Sequence, residues 1–105
     1  MFTAISINNV TIRLPDERWQ HISIGHPEIA GYYFDILETI ESPDRIYEGN
    51  SNELLAVKKL EQEADKHLIV IYKELNLSDG FIITAFLSKK VEYLKNKKLI
   101  WEHLK

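Results

Sequence analysis

Two histidines lie five residues apart in the run W-Q-H-I-S-I-G-H-P-E, at residues 19–28. Imidazole is the side chain whose unperturbed pKa lies closest to neutrality, so His21 and His26 could accept and return protons in acid–base catalysis. A glycine before His26 and a proline after it predict that one helix ends and another begins there. In an uninterrupted helix His26 would share the face of Trp19, whereas His21 would lie about 200° away. The helix break is therefore what could bring the two rings together.

Polar residues interrupt two strands that are otherwise apolar on both faces. Residues 67–74 (HLIVIYKE) and 81–88 (FIITAFLS) have the pattern of such strands, which is typical of a sheet covered on both sides. Lys73 lies near the end of the first strand, and Thr84 lies in the middle of the second. A lysine and a hydroxyl can both donate to a phosphate oxygen and stabilise the charge that develops on it.

These side chains predict metal-free cleavage of RNA by its own 2′-hydroxyl. The reaction needs a base for the hydroxyl proton, an acid for the leaving oxygen, and cations or donors around the charged transition state. No cofactor is expected. The candidate catalytic residues are His21, His26, Lys73 and Thr84, and the candidate substrate-binding residues are Lys58 and Arg45.

Each candidate also has a purely structural interpretation. The helical periodicity fits a His26 that is buried and hydrogen-bonded to backbone as well as it fits a catalytic one. Thr84 also fits a β-branched strand filler, and Lys73 fits a lysine that guards a sheet edge. Trp19 and Trp101 fit core positions, with stacking on a nucleobase as the functional alternative.

The chain lacks the residues and motifs that several other classes of enzyme require. The chain has no cysteine, and the spacing of His21 and His26 differs from the i, i+4 pairing of helical zinc sites, so no metal is predicted. Only four glycines are present, and none forms a phosphate-binding loop. No serine lies in the Gly-x-Ser-x-Gly turn of a serine hydrolase.

Length and charge favour one soluble domain over residues 1–105 in a reducing cytoplasm. No apolar run approaches the roughly 20 residues of a membrane helix, and no targeting leader is expected. The net charge of −3 argues against non-specific binding to nucleic acid. Six lysines nevertheless follow residue 88, against two glutamates. They predict either a local basic face that binds phosphate or a solvated surface.

The apolar periodicity predicts an α+β fold that begins with a hairpin and two helices. Residues 2–7 and 10–13 form the hairpin, which turns at two asparagines. A proline followed by two acidic residues, at 15–17, begins the first helix. Apolar residues at helical spacing from Ile29 to Ile40 predict one long amphipathic helix that begins at Pro27 and ends at 42–44.

The rest of the chain predicts a sheet. Residues 45–48, 53–60, 67–74 and 81–88 form an antiparallel meander of about four strands, because their connections are too short for parallel crossovers. A charged turn is expected at residues 61–66. Beyond Lys89 a helix is expected to end near Asn96, and residues 99–101 fit either more helix or a last short strand.

Four short runs resemble a known group of proteins: W-x-H-I-x-x-x-H-P-E (19–28), T-I-x-x-P-D-x-I (39–46), Y-K-E (72–74) and D-G-F-I-I-T-A-F (79–86). They resemble small bacterial and phage proteins of the barnase–EndoU–colicin–RelE superfamily of metal-independent ribonuclease folds. The resemblance implies an active site built from a helical histidine and polar residues on the sheet, including a late Thr or Ser. Those positions correspond to His21, His26, Lys73 and Thr84. The acidic net charge departs from the strongly basic members that act on the ribosome.

The resulting hypothesis is a small metal-independent ribonuclease, of the kind that acts as a toxin neutralised by an antitoxin or immunity protein. RNA is the expected partner, and a homodimer is a further candidate assembly. The alternative is a non-catalytic module of the same fold that binds protein or nucleic acid through a sheet edge or the lysine-rich tail. If the enzyme hypothesis holds, His21 or His26 should lie near Thr84 or Lys73 in a concave surface.

Overall fold

One mixed β-sheet and two α-helices make up the computed structural model, which describes residues 2–61 and 65–104. The helices are α1 (Asp16–Gly25) and α2 (Tyr33–Glu41), and 3₁₀ turns cover Pro27–Ile29 and Glu92–Asn96. The strands within the described residues are β1 (Phe2–Ile5), β2 (Thr11–Leu14), β3 (Arg45–Glu48), β4 (Leu54–Lys59), β5 (His67–Glu74), β6 (Gly80–Ser88) and β7 (Lys98–Glu102). Their order across the sheet is β1-β2-β6-β5-β4-β3-β7. The predicted α+β class is confirmed.

The sheet is larger than the predicted antiparallel meander of about four strands, which is not confirmed. Strands β3 to β6 do pair consecutively and antiparallel. The N-terminal hairpin joins them through a short parallel pairing of β2 with β6, and β7 pairs antiparallel with β3. These two additions connect strands far apart in sequence, so no local pattern in the chain predicts them.

The second predicted helix is shorter than expected. Its first turn is a separate 3₁₀ turn at Pro27–Ile29, and α2 begins only at Tyr33. Gly31 lies in the connection, where a glycine disfavours continuation of a helix. Ile29, Ile36 and Ile40 are nevertheless all fully buried, so the apolar spacing identified the buried residues correctly. The first helix begins after Pro15 and ends at Gly25, as predicted.

Two apolar layers cover the two faces of the sheet. The larger layer packs α2 and the 3₁₀ turn at Pro27–Ile29 against inward-facing strand residues, among them Ile12, Leu68, Val70, Tyr72 and Ile82. The opposite face, called the outer face below, holds a smaller layer of Tyr47, Leu55, Val57 and Ile69. Leu94 and Val91, from the segment between β6 and β7, cover that smaller layer. The segment leaves the β2 side of the outer face more open, where Phe81 and Thr84 are half-buried.

The predicted turns agree with the structure where they are described. Asn9 has a φ of 63°, the left-handed conformation that asparagine tolerates, in the hairpin between β1 and β2. Residues 62–64 of the predicted charged turn lie outside the described residues. The tail pattern allowed either more helix or a last short strand at residues 99–101, and the structure has a strand there, β7. Neither α-helix in the described chain is long and apolar enough to span a membrane.

Candidate functional site

His21 lies on α1 and is exposed. It lines a small depression of about 300 Å³ together with Arg13, Arg18 and Phe81. The guanidinium of Arg13 is already occupied, because its Nε and one Nη donate to the Asp79 carboxylate at 2.8 and 3.1 Å. The depression therefore offers one imidazole and the exposed Arg18 as ligand-binding groups, together with the carboxylate of Glu17.

His26 follows the end of α1 and is partly exposed. Its ring lies 5.8 Å from the ring of Phe86, and its Nδ1 lies 3.5 Å from Oε1 of Glu28. The depression that holds His21 reaches Phe81, at the other end of β6. His21 and His26 are themselves five residues apart on α1 and its C-cap, which corresponds to a rise of about 7.5 Å. The helix break therefore places both histidines along β6, but not at one point.

Lys73 and Thr84 lie on the outer face of the sheet. Lys73 pairs with Phe81, and Thr84 pairs with Ile71 two residues before Lys73. A register shift at this place inserts an extra residue into β6. Lys73 and Thr84 are therefore diagonal neighbours on two adjacent strands, and both are half-buried. Within residues 2–61 and 65–104, no hydrogen bond links either of them to His21 or His26.

Arg45 and Lys58 line a much larger groove, of about 980 Å³, at the edge where β4 ends and β5 begins. This strand-end groove forms because antiparallel neighbours begin and end at the same edge of a sheet. Its walls include two histidines that sequence analysis did not select. The groove brings together the potential acid–base and cationic side chains Arg45, Lys58, Lys59, His67, His103 and Tyr47.

Arg45 lines the groove, and an ion pair with Glu102 orients its guanidinium. Its Nε donates to Oε2 of Glu102 at 3.0 Å. The hydrogen bond and charge interaction with Tyr47, followed by the carboxylate of Glu102, raise the pKa of Arg45 above its usual value. The group is thus a fixed cation, with half of its side chain still exposed to solvent. Such a group can bind an anionic ligand without first being ordered.

His67 and His103 reach the groove from different strands: His67 begins β5, and His103 follows β7. His67 pairs with Lys59 on one side and with Ser88 on the other. Its Nδ1 is shielded from solvent and has no partner in the described chain, so Nε2 is the nitrogen that can reach a ligand. His103 is exposed, and its backbone N–H donates to the carbonyl oxygen of Asp44 at 2.9 Å.

The other cations of the groove are partly engaged with the protein. Lys58 Nζ donates to the carbonyl oxygen of Ser42 at 2.7 Å and lies 4.0 Å from Glu38. The backbone N–H of Lys59 donates to Oδ2 of Asp44 at 2.8 Å. The side chain of Lys59 is exposed. Five carboxylate side chains also line the groove, mixed with its cations: Asp35, Glu38, Asp44, Glu61 and Glu102.

The sequence contains only part of the information needed to find this groove. The pairing of Lys59 with His67 follows from the hairpin of β4 and β5, which the strand pattern predicted. His103 reaches the groove only because β7 pairs with β3, more than fifty residues earlier in the chain. A search for histidines close in sequence therefore could not select it.

Comparisons of the chain with models of protein families, with curated proteins and with solved structures found no match. Among the described residues, no three His, Asp or Glu side chains converge closely enough to hold a metal ion. The chemistry of the strand-end groove and of β6 is therefore the basis for a functional assignment.

Proposed function

We propose that this protein is a metal-independent ribonuclease and that the strand-end groove is its active site. One observation carries the proposal: two imidazoles, the fixed guanidinium of Arg45 and the ammonium of Lys59 line a single groove. The earlier site prediction contributes Arg45 and Lys58, both on the walls of the groove. His67 and His103 replace His21 and His26 as the acid–base pair.

In the proposed reaction one imidazole removes the proton of the 2′-hydroxyl, and the 2′-oxygen attacks the adjacent phosphorus. The bond from phosphorus to the 5′-oxygen breaks as the other imidazole, in its protonated form, donates a proton to that oxygen. The products are a 2′,3′-cyclic phosphate and a free 5′-hydroxyl, and one proton has moved between the histidines. Arg45 and Lys59 stabilise the additional negative charge on the phosphate oxygens in the transition state.

The quartet predicted from sequence is a second location for the same chemistry. It is supported by the resemblance of the short motifs around His21, His26, Lys73 and Thr84. The separation of the two histidines along β6 makes it the less favourable location. Both locations are tested by the same set of variants.

The decisive experiment is cleavage of single-stranded RNA in the presence of EDTA. We expect His67→Ala and His103→Ala each to lower the cleavage rate by about 10² to 10⁴, the usual contribution of one acid–base group. His21→Ala is the matched control and should stay within a few-fold of the wild type, and His26→Ala should lose far less activity than either groove variant. Circular dichroism of every variant verifies that the fold is intact.

The opposite pattern, with losses at His21 or His26 only, would move the active site to the sequence-predicted quartet. Full loss of wild-type activity on chelation would contradict a metal-independent mechanism. If the protein is also a toxin, expression of the wild type should arrest bacterial growth and expression of His67→Ala should not. An antitoxin or immunity protein would then be expected to cover the strand-end groove.

A second candidate is a non-catalytic binding module. It is favoured by the five carboxylates that line the groove, which would repel RNA phosphates unless cations offset them. Glu102 is paired with Arg45, and Glu38 lies near Lys58, so part of this charge is offset. Binding of RNA or of a protein without any cleavage in the assay above would support the binding module.

A further inference from the structure

Two phenylalanines on β6 lie between cations at the two ends of the strand. Phe81, near the start of β6, pairs with Lys73, and Phe86 lies near its end. Lys89 and Lys90 directly follow the strand and are exposed. Both rings are half-buried, so each has a surface against the sheet and a surface toward solvent.

This row of side chains leads directly to the strand-end groove. Ser88, the last residue of β6, pairs with His67, which lines the groove. From Ser88 to Phe81 the strand extends over about 23 Å, which is longer than one nucleotide. The row therefore ends beside His67, one of the residues that line the groove.

We propose that this surface, the β6 track, binds single-stranded RNA and leads it into the groove. The track consists of Phe81, Thr84, Phe86, Lys73 and the lysine pair after β6. Aromatic rings that alternate with cations are the usual combination for single strands, because every base has a face that can stack and every linkage carries a charge. The inference rests on the proposed function, since it names the substrate class for the same groove.

The contacts of the track suit this ligand. The ring of His26 lies against Phe86 at a tilt of 32° and widens the stacking platform. The hydroxyl of Thr84, between the two rings, can donate to a phosphate or a base. Asp79 does not repel the strand, because Arg13 neutralises it. Two carboxylates lie near the track on the helix side: Glu28, beside His26, and Glu17, which lines the depression with Phe81.

A duplex would not fit this arrangement, because its bases are already stacked on one another. Three of the residues first predicted to be catalytic therefore have a common role along the track, as groups that position the substrate: His26, Lys73 and Thr84. This role also explains why they are distributed along β6 and do not converge.

The test is the binding of a fluorescent single-stranded RNA carrying 2′-O-methyl groups, which block attack by the 2′-oxygen whichever residue is the base. Fluorescence anisotropy gives the dissociation constant at several salt concentrations. Phe81→Leu and Phe86→Leu keep an apolar side chain and remove the ring. We expect each to weaken binding about 5- to 150-fold, the range for loss of one stacked base.

Lys73→Gln should lower the slope of log affinity against log salt by about 0.7, as for one lost phosphate contact. The matched controls are Phe34→Leu, an exposed ring on α2, and Lys98→Gln, an exposed lysine on β7. Both should leave affinity within two-fold. Phe81→Leu should slow cleavage of a long single strand more than cleavage of a dinucleotide, which does not reach Phe81.

Equal affinity of the Phe81, Phe86 and control variants would overturn the track, as would absence of RNA binding or equal affinity for duplex RNA. Equal losses of cleavage on the dinucleotide and on the long strand in Phe81→Leu would assign that ring a structural role and also count against the track. Binding with the expected losses, but no cleavage of any RNA by the wild type, would support the track and overturn the ribonuclease proposal.

Discussion

The Ser6 hydroxyl joins the N-terminal hairpin to the end of β5, and its removal should destabilise the protein substantially. Ser6 is almost fully buried, with 4% of its surface exposed. Its Oγ donates to Oε2 of Glu74 at 2.5 Å and accepts from the backbone N–H of Val10 at 3.3 Å. Asn8 completes the contact, because its Nδ2 donates to the other oxygen of Glu74 at 3.0 Å.

The magnitude for Ser6→Ala follows from these contacts. A hydrogen bond to a charged group contributes about 1.5–3 kcal/mol, and a buried N–H without an acceptor costs about 1–3 kcal/mol. The turn is partly accessible to water, which reduces both effects. We therefore expect the free energy of unfolding to fall by about 3 kcal/mol. In a chain of this size the melting temperature should fall by about 10–15 °C.

Urea denaturation followed by tryptophan fluorescence and circular dichroism measures this change. The dependence of the unfolding free energy on urea should stay the same, because the surface exposed on unfolding does not change. Ser23→Ala is the control, since the Ser23 hydroxyl donates to the carbonyl oxygen of Gln20 on an exposed part of α1. That variant should change stability by less than about 0.5 kcal/mol.

A double-mutant cycle tests the mechanism. Ser6→Ala and Glu74→Ala should be coupled by more than about 1 kcal/mol, because each removes one partner of the same hydrogen bond. If the two effects add independently, or if Ser6→Ala is no more destabilising than Ser23→Ala, the hydroxyl does not hold the hairpin to β5.

Three other predictions concern the core and are measured by urea denaturation. Tyr72→Phe should leave stability at pH 8 unchanged or slightly higher, because the Tyr72 hydroxyl is buried without a partner in the described chain. Burial, and then the negative charge of Glu74, raises the pKa of Tyr72 above its ordinary value of 10.0. The contribution of the neutral Tyr72 hydroxyl to wild-type stability is therefore fully present below pH 10 and is lost as the pH rises above it. In Tyr72→Phe the unfolding free energy should not show this decrease, which in the wild type is about 1.4 kcal/mol per pH unit above pH 10. If the unfolding free energies of the two proteins changed in parallel up to pH 11, the prediction would be contradicted. Gly80→Ala should cost about 1–3 kcal/mol because the new Cβ would lie 2.4 Å from a backbone carbonyl oxygen of β5, whereas Gly31→Ala, whose Cβ meets nothing within 4 Å, should be neutral. Ile40→Ala should cost about 2–5 kcal/mol against almost nothing for the exposed Leu77→Ala, and similar losses would mean that α2 does not seal the core.

Local patterns in the sequence determined most of the elements. The bounds of β3 and β5 were predicted as they occur, since β-branched runs between turn residues specify short strands. The proline and acidic residues at 15–17 located the start of α1, and the Asn pair located the first hairpin. The prediction of one long helix from Pro27 was wrong because the apolar spacing continues across Gly31, whereas the backbone is not helical there. Periodicity records which residues are buried, and it does not record every interruption of the backbone.

Tertiary structure alone decided which side chains meet. Lys59 and His67 are neighbours through a local hairpin, and Arg45 joins them through the hairpin of β3 and β4, whereas His103 joins them because β7 pairs with β3. His21 and His26 are close in sequence, yet α1 places one near Phe81 and the other near Phe86. The physical reason is that strand pairing between distant segments is fixed by burial of the whole sheet. Spacing along the chain measures proximity only within one helix, one strand or one turn.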